Sequence, residues 1–281
     1  MPPDTAPQRR VAAVFSPSRP PGLGLEVARR LIAAGLDVVC VDHARPGGDA
    51  SSTHIGRKEW LDALVAEFAD QPGRLRVIDA DMTREGEPER AAARVIELAG
   101  RLDVAMIMNG ATGPQSGSIP FTQVDEAGAY RSVQLNLIVP FLIARACAHQ
   151  MIRQGKGGAI VFQSSSSGVF PSPRNGLFGA ARAGLNFMVR SFAQELGPHG
   201  IRVNSVNPLA IVPEGDISAN PGLERMVAAS GKDAAQKFSE LIPLGRPQAR
   251  AETAAVMVFL ALEASFVTGE AWTVAGGATR D

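Results

Sequence analysis

The stretch from Val11 to Asp42 restricts the fold more than any other part of the chain. Val11-Ala-Ala-Val-Phe15 is a short, wholly apolar run bounded by turn formers, the pattern of a strand buried on both faces. The proline- and glycine-rich loop Ser16 to Gly24 ends it. Leu25 to Ala34 then shows helical periodicity and stops at Gly35, and Asp37-Val-Val-Cys-Val-Asp42 is a second apolar strand that closes on an acid. Strand, glycine loop, helix, strand and acid are the arrangement that binds a dinucleotide, with the pyrophosphate on the helix N-terminus and the acid on a ribose hydroxyl. On the other reading, Gly22 and Gly24 are simply turn residues and Asp42 is a strand-end cap.

The rest of the chain repeats the alternation. A polar, glycine-rich insertion over 43–56 is followed by helical periodicity over 57–69, and a strand over 75–79 runs into Asp81-Met-Thr83. A helix over 85–100 precedes the apolar strand 103–108, with Asn109-Gly110-Ala111 at its carboxyl end, where ligands bind in open parallel sheets. A long helical stretch, 121–154, is expected to break near its start; a strand over 201–206 ends at Asn207-Pro208. Residues 209–236 are irregular, which suits a substrate loop, and a helix over 249–262 and a strand over 270–274 complete the pattern. Buried strands alternating with helices, without a linker, predict one α/β domain over 10–281 with a doubly wound parallel sheet and helices on both faces; residues 1–9 form a disordered arm.

Composition narrows the function by exclusion. Charged residues are 20% of the 281 and balance to a formal net charge of zero, so no field steers the chain toward nucleic acid or an anionic membrane. The apolar run after Arg9-Arg10 is too short for a signal peptide, and no stretch predicts a membrane span, so a cytoplasmic location is expected. Cys40 and Cys147 sit in apolar surroundings and read as buried thiols. The four histidines show no metal-ligand spacing, so no metal site is expected.

Chemistry concentrates in one place. The apolar run Gly158-Ala-Ile-Val-Phe162 delivers Gln163 and the hydroxyls Ser164 to Ser167 before Gly168. Further on, Phe178 and Arg182 lie four apart, on one face of a helix.

Taken in order, these pieces resemble the short-chain dehydrogenase/reductase superfamily from about Val11 to Gly277. The resemblance rests on Gly22-x-Gly24, Asp42, Asp81-x-Thr83, Asn109-Gly-Ala, Asn136 in Leu-Asn-Leu, the Ser165 run, Arg-Val-Asn-Ser-Val-Asn-Pro208, Pro243-Leu-Gly-Arg246 and Phe266-Val-Thr-Gly-Glu270. It implies a Rossmann-like fold, a homodimer or homotetramer, a small-molecule substrate, and a dinucleotide along Ser16, Ser18, Arg19, Gly22, Leu23, Gly24, Asp42, Asp81, Met82, Asn109, Gly110, Ala111, Arg182 and Pro208. NAD(H) is expected over NADP(H), since the Asp42 carboxylate repels a 2′-phosphate; Arg19 and Arg45 act the other way. The catalytic group that the resemblance implies is Asn136 holding a water, Ser165 on the substrate oxygen, Phe178 at the place of the family's tyrosine acid/base, and Arg182 at that of its lysine.

Two members of that group depart from the family. Phenylalanine has no proton to give, and the only tyrosine, Tyr130, is read as a packing or subunit-contact residue. Guanidinium stays charged and cannot shuttle protons at neutral pH. Losing a positioned general acid forfeits roughly 10²–10⁴ in rate. The loop after Phe15 is about two residues longer than the family's and carries Pro20-Pro21. Its first glycine is replaced by Ser16 or Ser18, and Leu209, Pro213 and Ala275 stand at further family positions. Halohydrin dehalogenases also place arginine at the Arg182 position but keep the tyrosine. Three functions follow as expectations: an atypical dinucleotide-linked oxidoreductase; a lyase-, dehalogenase- or cyclase-like enzyme binding an oxyanion with Ser165 and Arg182, in which case no cofactor is needed; and a catalytically silent homologue.

Overall fold

The computed structural model describes residues 8–19, 22–46, 55–71, 73–111, 118–171, 173–209, 211–212, 227–228 and 231–278. Residues 1–7 of the arm, Pro20-Pro21, Pro213 and most of the 209–236 loop therefore lie outside the described residues. The strands are β1 (Val11–Phe15), β2 (Asp37–Asp42), β3 (Ala44–Arg45), β4 (Gly56–Arg57), β5 (Leu75–Asp79), β6 (Val104–Ile107), β7 (Gly158–Gln163), β8 (Ile201–Pro208), β9 (Ile211–Val212), β10 (Gln248–Ala249) and β11 (Ala271–Val274). Seven form one parallel sheet in the order β11-β8-β7-β6-β1-β2-β5. The direction of winding reverses between β1 and β6, so the crevice at their carboxyl ends is the switch point at which such sheets bind ligands.

The apolar strands are explained by what covers them. Val11, Ala13 and Phe15 face a core shared with α3 (Glu87–Ala99), α5 (Val139–Gln154) and α6 (Gly176–Leu196). Ala12 and Val14 face a second core, shared with α1 (Leu23–Ala33), α2 (Lys58–Glu67) and α8 (Arg250–Leu262). Both faces are dry, so the period-two pattern that marks a one-sided strand is absent. Cys40 and Cys147 are free thiols within these cores.

The stretch 121–154 differs from a helix broken only near its start. A short 3₁₀ turn at Phe121–Gln123 precedes α4 (Glu126–Val133), whose N-terminus is capped by Asp125 accepting from the Gly128 amide at 2.7 Å. A π turn over Gln134–Ile138 then joins α4 to α5, with the Val139 amide donating to the Gln134 carbonyl. The cause is Pro140: it has no N–H, so the α-helical bond to the Asn136 carbonyl cannot form. By length and hydropathy Glu126–Gln154 could cross a membrane, but half of it is buried, and α5 packs on α3 as a core helix. The insertion after β2 contributes the small parallel pair β3–β4, and α7 (Ala234–Leu241) begins inside the segment expected to be irregular.

Candidate active site

The first loop is shaped by three residues. Gly22 caps α1 in the left-handed conformation, φ 78°. Gly24 packs so closely on the loop that a Cβ there would lie 2.5 Å from the Pro17 Cα. Ser16 also has a positive φ, 57°, a strain of about 1 kcal/mol for a residue with a side chain. Ser16 is thus the residue in the glycine-like conformation, and its Oγ accepts from Asn109 Nδ2 at 2.8 Å.

Ser18 has a different task. Its amide and hydroxyl donate to Asp42 Oδ2 at 2.8 and 2.7 Å, and the His43 amide donates to Oδ1 at 2.9 Å. Asp42 is 2% exposed, and the backbone of Gly56 in β4 lies directly on the Ser18–Asp42 pair. A ribose meets this carboxylate only if that cover lifts. Burial raises the Asp42 carboxyl above the usual carboxylate range, opposed by Ser18, Arg19 and the His43 amide. Arg19 crosses the switch point to donate to the Met108 carbonyl at 2.7 Å, and burial pulls its guanidinium down to about 10.

Between these groups lies a narrow cleft open to solvent. Ser16, Arg19, Asp81, Met82, Asn109 and Gly110 line it, as do His43, Ala80, Thr83, Leu135 and Val139. Asp81 is held in a turn by the Thr83 amide and hydroxyl at 3.0 and 2.6 Å. Asn109 Oδ1 is a buried acceptor with no donor among the described residues. Such an atom in a cleft wall suits a hydroxyl-bearing ligand.

The catalytic end is built on α6. Ser165 caps a 3₁₀ turn, Ser166–Gly168, by accepting from the Ser167 amide at 3.1 Å, which leaves its own proton free to donate. Two glycines seat that turn on α6: a Cβ at Gly168 would lie 2.7 Å from the Arg182 backbone, and one at Gly179 2.6 Å from the Ser167 carbonyl. Asn136, in the π turn, grips Ala111 both ways, accepting from its amide at 2.8 Å and donating to its carbonyl at 2.9 Å. Arg182 is 4% exposed; it donates to the carbonyls of Gln163 at 3.1 Å and Asn109 at 3.0 Å, and its Nε has no partner among the described residues. Its guanidinium lies 5.4 Å from the centre of the buried Phe178 ring. Burial, then the Arg19 cation, pulls it down to about 9.

Six of the residues expected at the cofactor thus share one cleft, with Ala111, Asn136 and Arg182 packed around Gly110. Leu23 turns into the core beneath α1, and Pro208 ends β8, two strands beyond β6. Tyr130 is exposed on α4. His43, Ala80, Thr83, Leu135 and Val139 were not singled out from the sequence as cofactor residues; His43 and Ala80 carried a signal as the first residues past the carboxyl ends of β2 and β5, and Thr83 as part of the Asp81-x-Thr83 motif.

A nicotinamide dinucleotide fits this chain's first loop and the orphaned Asn109 acceptor. The chain is similar to known proteins over nearly its whole length. The family described as enoyl-(acyl carrier protein) reductase matches residues 19–279. A short-chain dehydrogenase/reductase of Armillaria gallica is 30% identical over 98% of this chain and 97% of its own length. L-rhamnose 1-dehydrogenase (NAD(P)(+)) of Sphingomonas sp. strain SKA58 is 30% identical over 91% of each. Carveol dehydrogenase of Mycobacterium avium, solved in complex with NAD, superposes with a TM-score of 0.84 at 25% identity over 96% of this chain and 97% of that one. The chain is a member of the short-chain dehydrogenase/reductase family of oxidoreductases.

Proposed function

We propose that this protein is an NAD(P)(H)-linked oxidoreductase of a small carbonyl or hydroxyl compound, working without the family's tyrosine. The observation that carries the reading is the switch-point cleft, one of whose lining residues, Asn109, has a side-chain acceptor with no donor among the described residues. A dinucleotide bound there supplies hydride exchange. Ser165 donates a hydrogen bond to the substrate oxygen, and the Arg182 cation favours negative charge developing on it. Phe178 holds no proton, so the oxygen is protonated from water or by the substrate itself. NAD(H) is favoured over NADP(H) because Asp42 places a carboxyl under the adenosine end, although its cover and its Ser18 partner weaken that preference.

We further propose a cytoplasmic homodimer or homotetramer whose contacts use α4 to α6, since Tyr130, Ile138 and Phe187 are large, apolar and exposed there. The test is titration of the purified protein with NADH and NADPH, followed by fluorescence and heat. Micromolar binding, tighter for NADH, is expected. No binding at millimolar dinucleotide overturns the redox reading.

A further inference from the structure

The Arg182 side chain occupies the position of a lysine that would face a ribose, yet it faces the protein. The main-chain ladder between β6 and β7 ends at the pair Ile107 and Phe162. Beyond that pair no further main-chain bond joins the two strands among the described residues, and Arg182 bridges them instead: one amino group meets the Gln163 carbonyl at the end of β7, the other meets the Asn109 carbonyl just past β6. Gly110 is moulded to this guanidinium, since a Cβ there would fall on the Arg182 amino group. On the far side of the same turn Asn136 holds both polar atoms of Ala111. The β1 edge is stitched in a similar way, by Arg19 to the Met108 carbonyl and Asn109 to Ser16.

We propose that Phe178 and Arg182 act as a coupled clasp that positions the Asn109–Gly110–Ala111 floor of the cleft, so that Arg182 serves the ligand through the main chain. The planar guanidinium fork reaches two carbonyls on neighbouring strands at once, whereas an ammonium is a single point of charge. The face of Phe178 supplies the remaining support for a cation with no carboxylate bonded to it among the described residues. On this view phenylalanine and arginine depend on each other, and reverting one alone damages the floor.

The clasp and the direct role predict opposite results for Arg182→Lys. If Arg182 grips the ligand as the lysine would, Lys preserves NADH affinity. If it is a clasp, Arg182→Lys and Arg182→Met both weaken NADH binding by about tenfold to a hundredfold, the range set by one or two lost charged hydrogen bonds. In both variants, amide hydrogen exchange of peptides spanning 104–111 accelerates at least about tenfold while peptides of α1 and β2 are unchanged. Phe178→Leu gives the same local acceleration, and adds little once Arg182 is Met. Wild-type affinity or unchanged exchange in Arg182→Lys overturns the proposal, as do effects of the two positions that simply add. Should both Arg182 variants fail to fold, Phe178→Leu, which leaves both hydrogen bonds in place, decides on the exchange measurement alone. The affinity arm rests on the dinucleotide reading, whereas the exchange arm does not. A protein that binds no NADH but shows the local acceleration therefore refutes the function and keeps the clasp.

Discussion

The first loop and the Ser165–Arg182 region, on either side of the cleft, differ from the family pattern that the chain resembles in different ways. At the adenosine end the backbone devices are kept: the left-handed Gly22, the close approach of Gly24 to Pro17, and an acid at the end of β2. What has changed is access, because Ser18 and Gly56 close over Asp42. At the catalytic end the scaffold is also kept, down to the glycines that seat the Ser165 turn on α6, but the functional groups are exchanged. Where the resemblance expects a tyrosine hydroxyl and a lysine ammonium, the chain has the Phe178 ring and, at Arg182, a fork bound to two carbonyls.

If that contrast is right, substitutions at the adenosine end cost stability and those at Ser165 cost mainly rate. Asp42→Ala is expected to have the largest effect. It strands the Ser18 and His43 amides in a buried site, at about 2–4 kcal/mol, measured as a fall in denaturation midpoint with an unchanged slope. A loss under about 1 kcal/mol would mean that the cover over Asp42 opens freely. Gly24→Ala, which pushes a methyl against Pro17, should cost about 1–3 kcal/mol in the same assay and weaken NADH binding; wild-type values for both would show that the loop approach is not needed.

A pH series sharpens the comparison. The folded Asp42 carboxyl is raised above its unfolded value of about 3.9, so the native state binds the proton more tightly. Its contribution is fully favourable below about pH 4 and declines as pH rises through the folded value. Asp42→Asn should remove that decline, seen as a difference in Tm from wild type that changes between pH 4 and 8; a constant difference would count against a raised carboxyl. The smallest expected stability change is that of Ser165→Ala, about 0.5–1 kcal/mol from a lost turn cap. Its turnover on any carbonyl substrate should nevertheless fall by about 10²-fold or more. Equal turnover would remove Ser165 from the catalytic group.

The legibility of the site follows distance along the chain. Strand ends, the Gly22–Gly24 turn and the Ser165 turn are local, and residues within a few positions determine them. Even the π turn has a local cause, Pro140, although its effect falls four residues earlier at Asn136. Ser18 and Asp42, by contrast, are 24 positions apart, and Arg182 and Asn109 are 73 apart. Nothing in either segment announces such pairings. His43, Leu135 and Val139 reach the cleft only because three separate elements converge there.

From its sequence alone the chain is committed to buried parallel strands alternating with helices, and to a site at their carboxyl ends, because hydrophobic period and turn chemistry are short-range properties. It also has phenylalanine and arginine at 178 and 182, where the resemblance expects a tyrosine and a lysine. Where those replacements point was decided only by tertiary structure. A guanidinium buried beside two open carbonyls turns to them, and a carboxylate beneath a serine and a glycine backbone is closed off from solvent. Both outcomes depend on groups that only the folded sheet brings within hydrogen-bonding distance.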